Sequence, residues 1–524
     1  MKMKRIFLSL TCLIASAAFG LAARDLVILH TNDTHSQIVP ADDGRGGVLQ
    51  RKAIIDSVRK AEKDVLLVDA GDKVQGSLYF KFFKGDVDYP LQNLLGVDIS
   101  IIGNHEFDNG MEMLAKNEAL LKADRLSANY DFTGTPAEGL FKPYVIRKIA
   151  GKKIGFVGLN VDPQSLIAES TRQGVAYRDF IGEGNRWAAF LKHKKKCDLV
   201  VAVTHVGYDD DRMLAARSED IDIIIGGHSH TLVDPLAPEK TPHVVGNALG
   251  RPVLVVQSGK SGKYIGQIRV DLDRLASQTP ADFGYSLIEV TDRFPADKLD
   301  KSIIDFVAPY TAALDSVSND VIGYASCDML NSKNQGEFHN WIADFGAWYG
   351  NLKLDSLRAA GHSVPRLDLA IMNAGGIRNS IPRGKVSRGQ ILSAFPFNNK
   401  FVVMQISGKD LLDALRIAAS QGGQPVSGSV RVVTDGGRNM LGASVGLEEI
   451  DPERTYTVGT IDYLAWGNDY LTPLANGRWI YSDDVEICAP LIRYMKHLTG
   501  LGLPMEASPD PRFVKDITPL VNGR

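Results

Sequence analysis

Residues 99–108 read Ile-Ser-Ile-Ile-Gly-Asn-His-Glu-Phe-Asp, so a short aliphatic run is followed at once by a cluster of polar side chains. Short runs rich in Val and Ile are typical of strands that are buried on both faces, as in helix-covered sheets. In open α/β sheets the ligand crevice lies beyond the carboxyl ends of the strands. This stretch therefore predicts a buried strand that delivers Asn, His and Asp side chains to a binding site.

The same pattern occurs four more times between residues 25 and 270. The runs and the residues that follow them are 26–29 before Asp33 and His35, 65–68 before Gly71 and Asp72, 199–203 before Thr204 and His205, and 221–225 before His228 and His230. Segments 47–63 and 111–125 lie between these runs and have the spacing of amphipathic helices. We therefore expect an α/β fold in which helices cover a sheet.

The polar residues at these strand ends are typical metal donors. Five of the eleven histidines in the chain lie there. The candidate donors are Asp33, His35, Asp72, Asn104, His205, His228 and His230. Seven donors are too many for one ion that keeps an open coordination position, so the sequence predicts two ions. Nitrogen and oxygen donors without sulfur suit Zn, Mn, Co or Fe better than Ca or Mg, and the metal identity stays open.

Two divalent cations with only two carboxylates among their donors leave a site with net positive charge. Such a site attracts an anion, lowers the pKa of a bound water and holds both oxygens of an in-line displacement at phosphorus. The expected chemistry is therefore hydrolysis of a phosphate ester. The overall charge of the protein does not add to the attraction for phosphate, because 59 basic and 62 acidic residues give a net charge of -3. The same balance predicts no broad electropositive surface for nucleic acid.

The five blocks, taken in order, resemble the calcineurin-like binuclear metallophosphoesterase superfamily. The resemblance implies a helix-covered β-sandwich in which Asp72 bridges two ions. It further implies that Asp33, His35 and His230 hold one ion, and that Asn104, His205 and His228 hold the other.

His105 resembles the catalytic histidine of that superfamily, which donates a proton to the leaving group or stabilises charge in the transition state. Asp108 lies three residues later and would then hold the imidazole in the required tautomer. An alternative role for Asp108 is that of a helix N-cap residue.

The second half of the chain lacks a histidine cluster and contains three other notable segments. Residues 373–378 place Asn373 and Arg378 around a glycine turn, residues 396–399 contain Phe397 and Asn399, and residues 461–470 contain Tyr463 and Asp469. Two aromatic rings can hold a planar base between them, a carboxylate can accept hydrogen bonds from ribose hydroxyls, and an arginine can bind phosphate through two bonds. Taken alone, each of these features has a second interpretation, with the rings in a hydrophobic core and the arginine on the surface.

In order and content these segments resemble the C-terminal domain of the 5'-nucleotidase family, which includes bacterial UDP-sugar hydrolases and animal ecto-5'-nucleotidases. The resemblance implies that Phe397 and Tyr463 stack on the base, that Asp469 binds the ribose, and that Asn373 and Arg378 hold the nucleotide. Two departures are evident. The turn around Asp469 has Tyr470 where the family has glycine, and Ser332, with Lys333 beside it, stands where many members carry an arginine.

The length of 524 residues is about three times that of a common domain. We predict a metallophosphoesterase domain at 24–294, a linker helix at 295–322 and an α/β (α+β) substrate-binding domain at 323–524. Residues 1–23 have a basic start, an apolar run and small residues at the end, which predict a signal peptide, export and a periplasmic location. A lipoprotein anchor on Cys12 is the alternative.

The sequence thus predicts an exported two-metal enzyme that hydrolyses nucleoside 5'-phosphates. The alternatives are hydrolysis of 2',3'-cyclic nucleotides, or of UDP-sugars and other nucleotide pyrophosphates, at the same site. The expected partner is a small nucleotide. We predict no binding of nucleic acid and no stable membrane span, and the oligomeric state is open. Residues 259–263 look faintly like a phosphate loop but are predicted to be a turn between strands. The charge runs 194–196 and 209–211 are predicted to be solvated.

Overall fold

A computed structural model describes residues 25–41, 43–164, 166–331, 335–436, 438–506 and 509–515. The predicted signal peptide with Cys12, and the positions Ser332 and Lys333, lie outside these residues. Across the described ranges, every helix is too short or too polar to cross a membrane.

The first half of the chain alternates short strands with helices, as the spacing predicts. Its strands are β1 Asp25–Thr31, β2 Asp64–Asp69, β3 Ile99–Ile101, β4 Asp124–Leu126, β5 Tyr130–Asp131, β6 Tyr144–Ile149, β7 Lys152–Asn160, β8 Ala176–Tyr177, β9 Leu199–His205, β10 Ile223–Ile225, β11 Val244–Gly246, β12 Pro252–Val256, β13 Tyr264–Asp271 and β14 Gly284–Glu289. Its helices are α1 Val48–Ala61, α2 Leu78–Phe83, α3 Asp88–Leu95, α4 Gly110–Leu120, α5 Phe180–Ala189 and α6 Tyr208–Arg217.

Most of these strands form two six-stranded sheets, with the orders β14-β13-β1-β2-β3-β4 and β11-β12-β10-β9-β7-β6. Alternate residues of one strand point to opposite faces. Ile28 accordingly packs between the sheets against residues such as Phe156, whereas Val27 faces outward with Ile54 of α1. Helices α5 and α6 cover the outer face of the second sheet. The predicted helix-covered β-sandwich is therefore confirmed.

The strands that precede the candidate donors run in the same direction within each sheet. β1 pairs in parallel with β2, and β2 with β3, while β9 pairs in parallel with β10. Their carboxyl ends therefore lie at one edge of the sandwich, where the loops after them meet. The segment 259–263 lies between β12 and β13 and is a turn between strands, so its likeness to a phosphate loop is accidental.

A single helix, α7 Lys301–Ser318, lies within the segment predicted as a linker. The side chain of Asp300 caps it by accepting the backbone N–H groups of Ser302 and Ile303. Ile303 and Leu314 are buried against the outer face of the first sheet. The next strand begins at Val321, so the last residues assigned to the linker are already part of a sheet.

The second half has its own hydrophobic core and is built from mixed strands and helices. Its strands are β15 Val321–Ala325, β16 Leu369–Ala370, β17 Gly384–Ser387, β18 Lys400–Ser407, β19 Val430–Thr434, β20 Met440–Val445, β21 Glu448–Glu449, β22 Thr455–Ile461, β23 Arg478–Glu486 and β24 Phe513–Lys515. Its helices are α8 Glu337–Ala359, α9 Arg388–Ala394, α10 Gly408–Ser420, α11 Asp462–Ala465 and α12 Cys488–Gly500. Two four-stranded sheets, β16-β22-β18-β23 and β21-β20-β19-β24, and the pair β15-β17 complete it.

Candidate active site

The first group of candidate donors is Asp33, His35 and His230. Each offers one ligand atom, and these atoms all lie within 4.8 Å of one another. The Nε2 atoms of His35 and His230 are 2.9 Å apart, and Oδ1 of Asp33 lies 3.4 Å from Nε2 of His230. These residues follow β1 and β10, which belong to different sheets, so the sandwich itself brings them together.

The second group is Asp72, His205 and His228, with ligand atoms that meet the same distance criterion. Nε2 of His205 lies 3.2 Å from Oδ2 of Asp72, and Nδ1 of His228 lies 2.9 Å from Oδ1 of Asn104. The backbone carbonyl of Ala70 accepts a hydrogen bond from Nδ1 of His205 at 2.7 Å, which leaves Nε2 to face the site. The seven predicted donors thus surround one region of the structure.

The backbone at this region has an unusual conformation. The left-handed region of positive φ is occupied by five of the seven donors, namely Asp33, His35, Asp72, His228 and His230. L-residues reach that region only at a cost, so such residues cluster at functional sites. Gly71 allows this packing because a Cβ there would lie 2.7 Å from the backbone nitrogen of Gly103.

The electrostatics of four of the donors fit divalent cations. Burial lowers the pKa of His228 to about 3, and burial also holds the pKa of His35 and of His230 well below the ordinary value. These imidazoles are therefore neutral and offer a lone pair. Burial raises the pKa of Asp33 to about 7, with His205 opposing it, so an ionised carboxylate here needs a nearby positive charge. A cation in contact with these oxygen and nitrogen atoms would supply that charge.

Glu106 joins the two loops that carry Asp72 and Asn104. Its carboxylate accepts backbone N–H groups from Asp72 at 3.2 Å, from Lys73 at 2.9 Å and from Gly103 at 2.5 Å. The fully buried ammonium of Lys73 lies 3.3 Å from the carboxylates of Glu106 and Glu118. No local sequence pattern indicates these roles, because the partners of Glu106 and Lys73 come from separate loops.

The expectation of a solvated charge run at 209–211 is wrong for Asp211. This carboxyl is fully buried and accepts a hydrogen bond from the hydroxyl of Thr204 at 2.5 Å. A Cβ on Gly226 would collide with its other oxygen. Burial raises the pKa of Asp211 to about 8. The spacing of α6 explains the error, since Asp211 lies on the face of the helix that packs onto the sheet beside Leu214.

His105 lies at the rim of the donor groups. Its Nδ1 is 3.0 Å from Oδ2 of Asp108, and its backbone N–H donates to Oδ1 of Asp72 at 3.0 Å. Burial acts to lower the pKa of His105, but Asp108 and Asp72 outweigh it and the pKa is raised. Asn109, and not Asp108, is the residue before the first residue of α4, so the N-cap alternative for Asp108 is wrong.

A cavity of about 370 Å³ extends from the donors into the second half of the chain. All six residues predicted to bind substrate line it, namely Asn373, Arg378, Phe397, Asn399, Tyr463 and Asp469. The hydroxyl of Tyr463 donates to Oδ1 of Asp469 at 3.2 Å. The Oδ1 atom of Asn373 is buried and has no hydrogen-bond partner among the residues that the structure describes. It is therefore an available acceptor beside the Asp469 carboxylate.

Contacts between the two halves close the sides of this cavity. Nζ of Lys81 on α2 lies 3.0 Å from Oε2 of Glu486 and 3.2 Å from the carbonyl of Pro396. The loop at 166–171 of the first half lines the end of the cavity near Tyr463. Neither contact could be predicted from the sequence, because no local pattern marks residues that meet across a cleft.

The sandwich and its two donor groups define the class of the protein, a calcineurin-like phosphoesterase. Residues 26–232 match the family model described as calcineurin-like phosphoesterase. Residues 321–476 match the model described as the C-terminal domain of 5'-nucleotidases. The chain therefore belongs to the 5'-nucleotidase family, in which these two domains follow one another.

Known proteins support this membership along most of the chain. The 5'-nucleotidase of Rattus norvegicus is 27% identical over 494 residues, which cover 85% of this chain and 83% of the rat protein. The trifunctional nucleotide phosphoesterase YfkN of Bacillus subtilis is 27% identical over 75% of this chain, but the match spans only 27% of that longer protein. The crystal structure of a 5'-nucleotidase precursor from Thermus thermophilus superposes with a TM-score of 0.80 at 28% identity, covering 94% of this chain and 99% of the other.

Proposed function

We propose that this protein is a two-metal phosphoesterase that hydrolyses nucleoside 5'-phosphates to a nucleoside and inorganic phosphate. One observation carries the proposal: members of both donor groups and the aromatic, carboxylate and arginine side chains line a single cavity. The donors that line it are Asp72, Asn104, His228 and His230. A phosphate held at the donors can therefore be joined to a base and ribose held by the second half. The 5'-nucleotidases among the relatives support the same substrate class.

In this proposal Asp33, His35 and His230 hold one divalent cation, and Asn104, His205 and His228 hold the other, with Asp72 between them. When bound, the ions supply Lewis-acid activation of water and neutralise charge at the phosphate. The protein contributes a donor set already held in place by the sandwich and by Glu106. The nitrogen and oxygen donors suit Zn, Mn or Co, and the test below decides among these metals.

His105 acts on the leaving group. Its Nδ1–H faces the Asp108 carboxylate. Nε2 lies 2.8 Å from a terminal nitrogen of Arg378 and accepts from it, because a guanidinium has donors only. Nε2 can therefore carry a second proton once a bound phosphate ester draws that guanidinium to its own oxygens. As the P–O bond to the ribose breaks, this proton passes from Nε2 to the 5'-oxygen and leaves the nucleoside with a hydroxyl. Asp108 favours the charged imidazole before that transfer.

The second half holds the nucleoside. Phe397 and Tyr463 present aromatic faces to the base, and the carboxylate of Asp469 with the free Oδ1 of Asn373 accepts hydrogen bonds from ribose hydroxyls. Arg378 is placed for the phosphate, because its guanidinium lies between Phe397 and His105. Asn399 lines the same wall.

The test uses protein stripped of metal and reloaded with Zn, Mn or Co. Rates are measured on AMP, UMP, 2',3'-cyclic AMP and UDP-glucose, with His105→Ala as the control at equal metal content. A kcat/KM for AMP or UMP that exceeds those for the other two supports the proposal. A higher kcat/KM for the cyclic nucleotide or for UDP-glucose would show that the proposed substrate class is wrong. Equal rates for wild type and His105→Ala would contradict an enzymatic role.

We also propose that the chain is exported, on the strength of the basic and apolar pattern of residues 1–23. Cell fractionation of the expressed protein and sequencing of its mature N-terminus test this proposal. A mature start near residue 24 is expected for a cleaved signal peptide, and one at Cys12 would indicate the lipoprotein alternative.

A further inference from the structure

Gln75 lies in the turn between β2 and α2, three residues after Asp72, and lines the cavity. Its side chain is only 1% exposed, and its backbone φ is 71°. A non-glycine residue in this left-handed conformation is strained, and such strain persists where the surroundings hold it in place. The turn therefore holds a glutamine side chain in the cavity in spite of a backbone cost.

The orientation of the Gln75 amide follows from its partner. Oε1 accepts hydrogen bonds from Nε of Arg378 at 3.1 Å and from one of its terminal nitrogens at 2.8 Å. A guanidinium has donors only, so the amide atom that faces it must be the oxygen. The Nε2 amide is consequently directed elsewhere, and it is buried without a hydrogen-bond partner within the described part of the chain.

A buried donor without a partner is costly in a folded protein, and a ligand is one of the few things that can satisfy it. Under the proposed function, the part of the cavity beside Gln75 and Arg378 takes the anionic phosphate. The same terminal nitrogen of Arg378 that contacts Gln75 is 2.8 Å from Nε2 of His105. Gln75 thus stands beside Arg378 and His105, the two side chains that the proposed function places against the phosphate ester.

We propose that Gln75 is a substrate-binding residue: its Nε2 donates a hydrogen bond to a phosphate oxygen, while its Oε1 orients the Arg378 guanidinium toward the same phosphate. This inference rests on the proposed function for the identity of the ester. It goes beyond that function by assigning the phosphate contact to a residue of the first half that is not a metal donor.

The test compares Gln75→Met, which keeps the size and removes both polar atoms, with Gln75→Gly, which also relieves the positive φ. Loss of a hydrogen bond to a charged group predicts a fall of ~10- to 100-fold in kcat/KM for AMP. Inhibition by inorganic phosphate should weaken in parallel, whereas inhibition by adenosine should stay unchanged. The Tm of both variants is measured beside their kinetics, because Gln75→Gly relieves the positive φ but also loses the hydrogen bonds to Arg378.

The matched control is Asn379→Ala. Nδ2 of Asn379 donates to the carbonyl of Gly76 at 3.3 Å, so this variant removes a contact between the halves one residue away from Gln75 without altering the cavity. If Gln75 served only to hold the halves together, Asn379→Ala would reproduce its effects. We expect it to leave kcat/KM for AMP within about twofold of the wild type.

Binding of inorganic phosphate to the metal-loaded protein, measured by calorimetry, separates this inference from the proposed function. A wild type that hydrolyses no nucleotide would overturn the proposed function, and weaker phosphate binding in Gln75→Met would still support the phosphate contact. Unchanged phosphate binding and unchanged kcat/KM in both Gln75 variants would overturn the inference. So would an equal loss of affinity for phosphate and adenosine.

Discussion

A terminal guanidinium nitrogen of Arg378 lies 2.8 Å from Nε2 of His105, although 273 positions separate the two residues in the chain. The contact joins a histidine of the sandwich to an arginine of the second half. Both residues line the cavity that also reaches the donor groups. Neither half alone therefore contains the complete lining of the cavity.

Arg378→Lys should lower kcat/KM for AMP by ~10- to 100-fold, because a lysine is a point charge and cannot contact His105, Gln75 and a phosphate through a rigid fork. Steady-state kinetics at saturating metal measure the effect. Arg383→Lys is the matched control, since Arg383 is exposed and its side chain is outside the cavity. An Arg378→Lys variant as active as Arg383→Lys would contradict the role of the fork.

His105→Ala should reduce kcat for AMP by ~10²- to 10⁴-fold, the range for loss of a general acid, with metal content unchanged. Asp108→Asn should reduce it less. A substrate with a leaving group that needs no proton, p-nitrophenyl phosphate, separates proton transfer from other effects. Both variants should lose much less activity on that substrate, and equal losses on the two substrates would argue against proton donation by Nε2.

Asp72→Ala should release both ions, because Asp72 is expected to bridge them and also accepts the His105 backbone N–H. After dialysis we expect the bound metal to fall from about two ions per chain to fewer than one. Elemental analysis gives the count. Asp209→Ala, which removes a carboxylate that is 94% exposed, is the control and should keep the full content. Retention of one tightly bound ion in Asp72→Ala would count against the bridge.

The ion pair between Lys81 and Glu486 should contribute modestly to cohesion of the two halves. Lys81 is 7% exposed but Glu486 is 42% exposed, so solvent screens the pair. We expect a coupling of about 0.2–1 kcal/mol in a double-mutant cycle of Lys81→Met and Glu486→Gln, followed by thermal denaturation. Additive losses, without coupling, would mean that Lys81 acts only through the carbonyl of Pro396.

Asp88 should make the protein less stable as the pH rises from about 4 to about 7. Burial raises the pKa of Asp88 to about 7, while nearby Arg51 lowers it only in part. The folded state therefore keeps a proton that the unfolded chain has lost, and the free energy of unfolding falls as the pH passes through this window. The free energy of unfolding is measured with denaturant at pH 5 and pH 8. Asp88→Asn should make the difference between the two values smaller by an amount on the order of a few kcal/mol. An unchanged pH dependence would contradict the prediction.

Local patterns in the sequence are sufficient for part of this structure. The runs before Asp33, Asp72, Asn104 and His205 alternate between two buried faces and each ends in a donor, so the buried strands and the donors after them follow from residues that are neighbours in the chain. The two-sheet sandwich and the division of the donors into two groups were expected only from the family resemblance. The aromatic and polar residues of the second half were likewise expected at the cavity that they line.

Other features depend on packing between distant segments and leave no local pattern. The buried ammonium of Lys73 is accounted for only when Glu106 and Glu118 are brought next to it. Asp211 belongs to an acidic run, and only the packing of α6 onto the sheet shows that it is buried. Gln75 has no distinctive neighbours in sequence, and its importance depends on Arg378 of the other half.

The left-handed backbone of five donors bears on how the protein takes up metal. The left-handed backbone of each of these residues costs about 1 kcal/mol or more of conformational free energy. Folding of the sandwich imposes this conformation before an ion binds. The metal site should then be preformed. Metal binding should cause little change in heat capacity or in amide hydrogen exchange of the loops. One ion could be exchanged for another of similar size without local refolding, so the available metal supply, more than the protein backbone, would set which ion the enzyme carries.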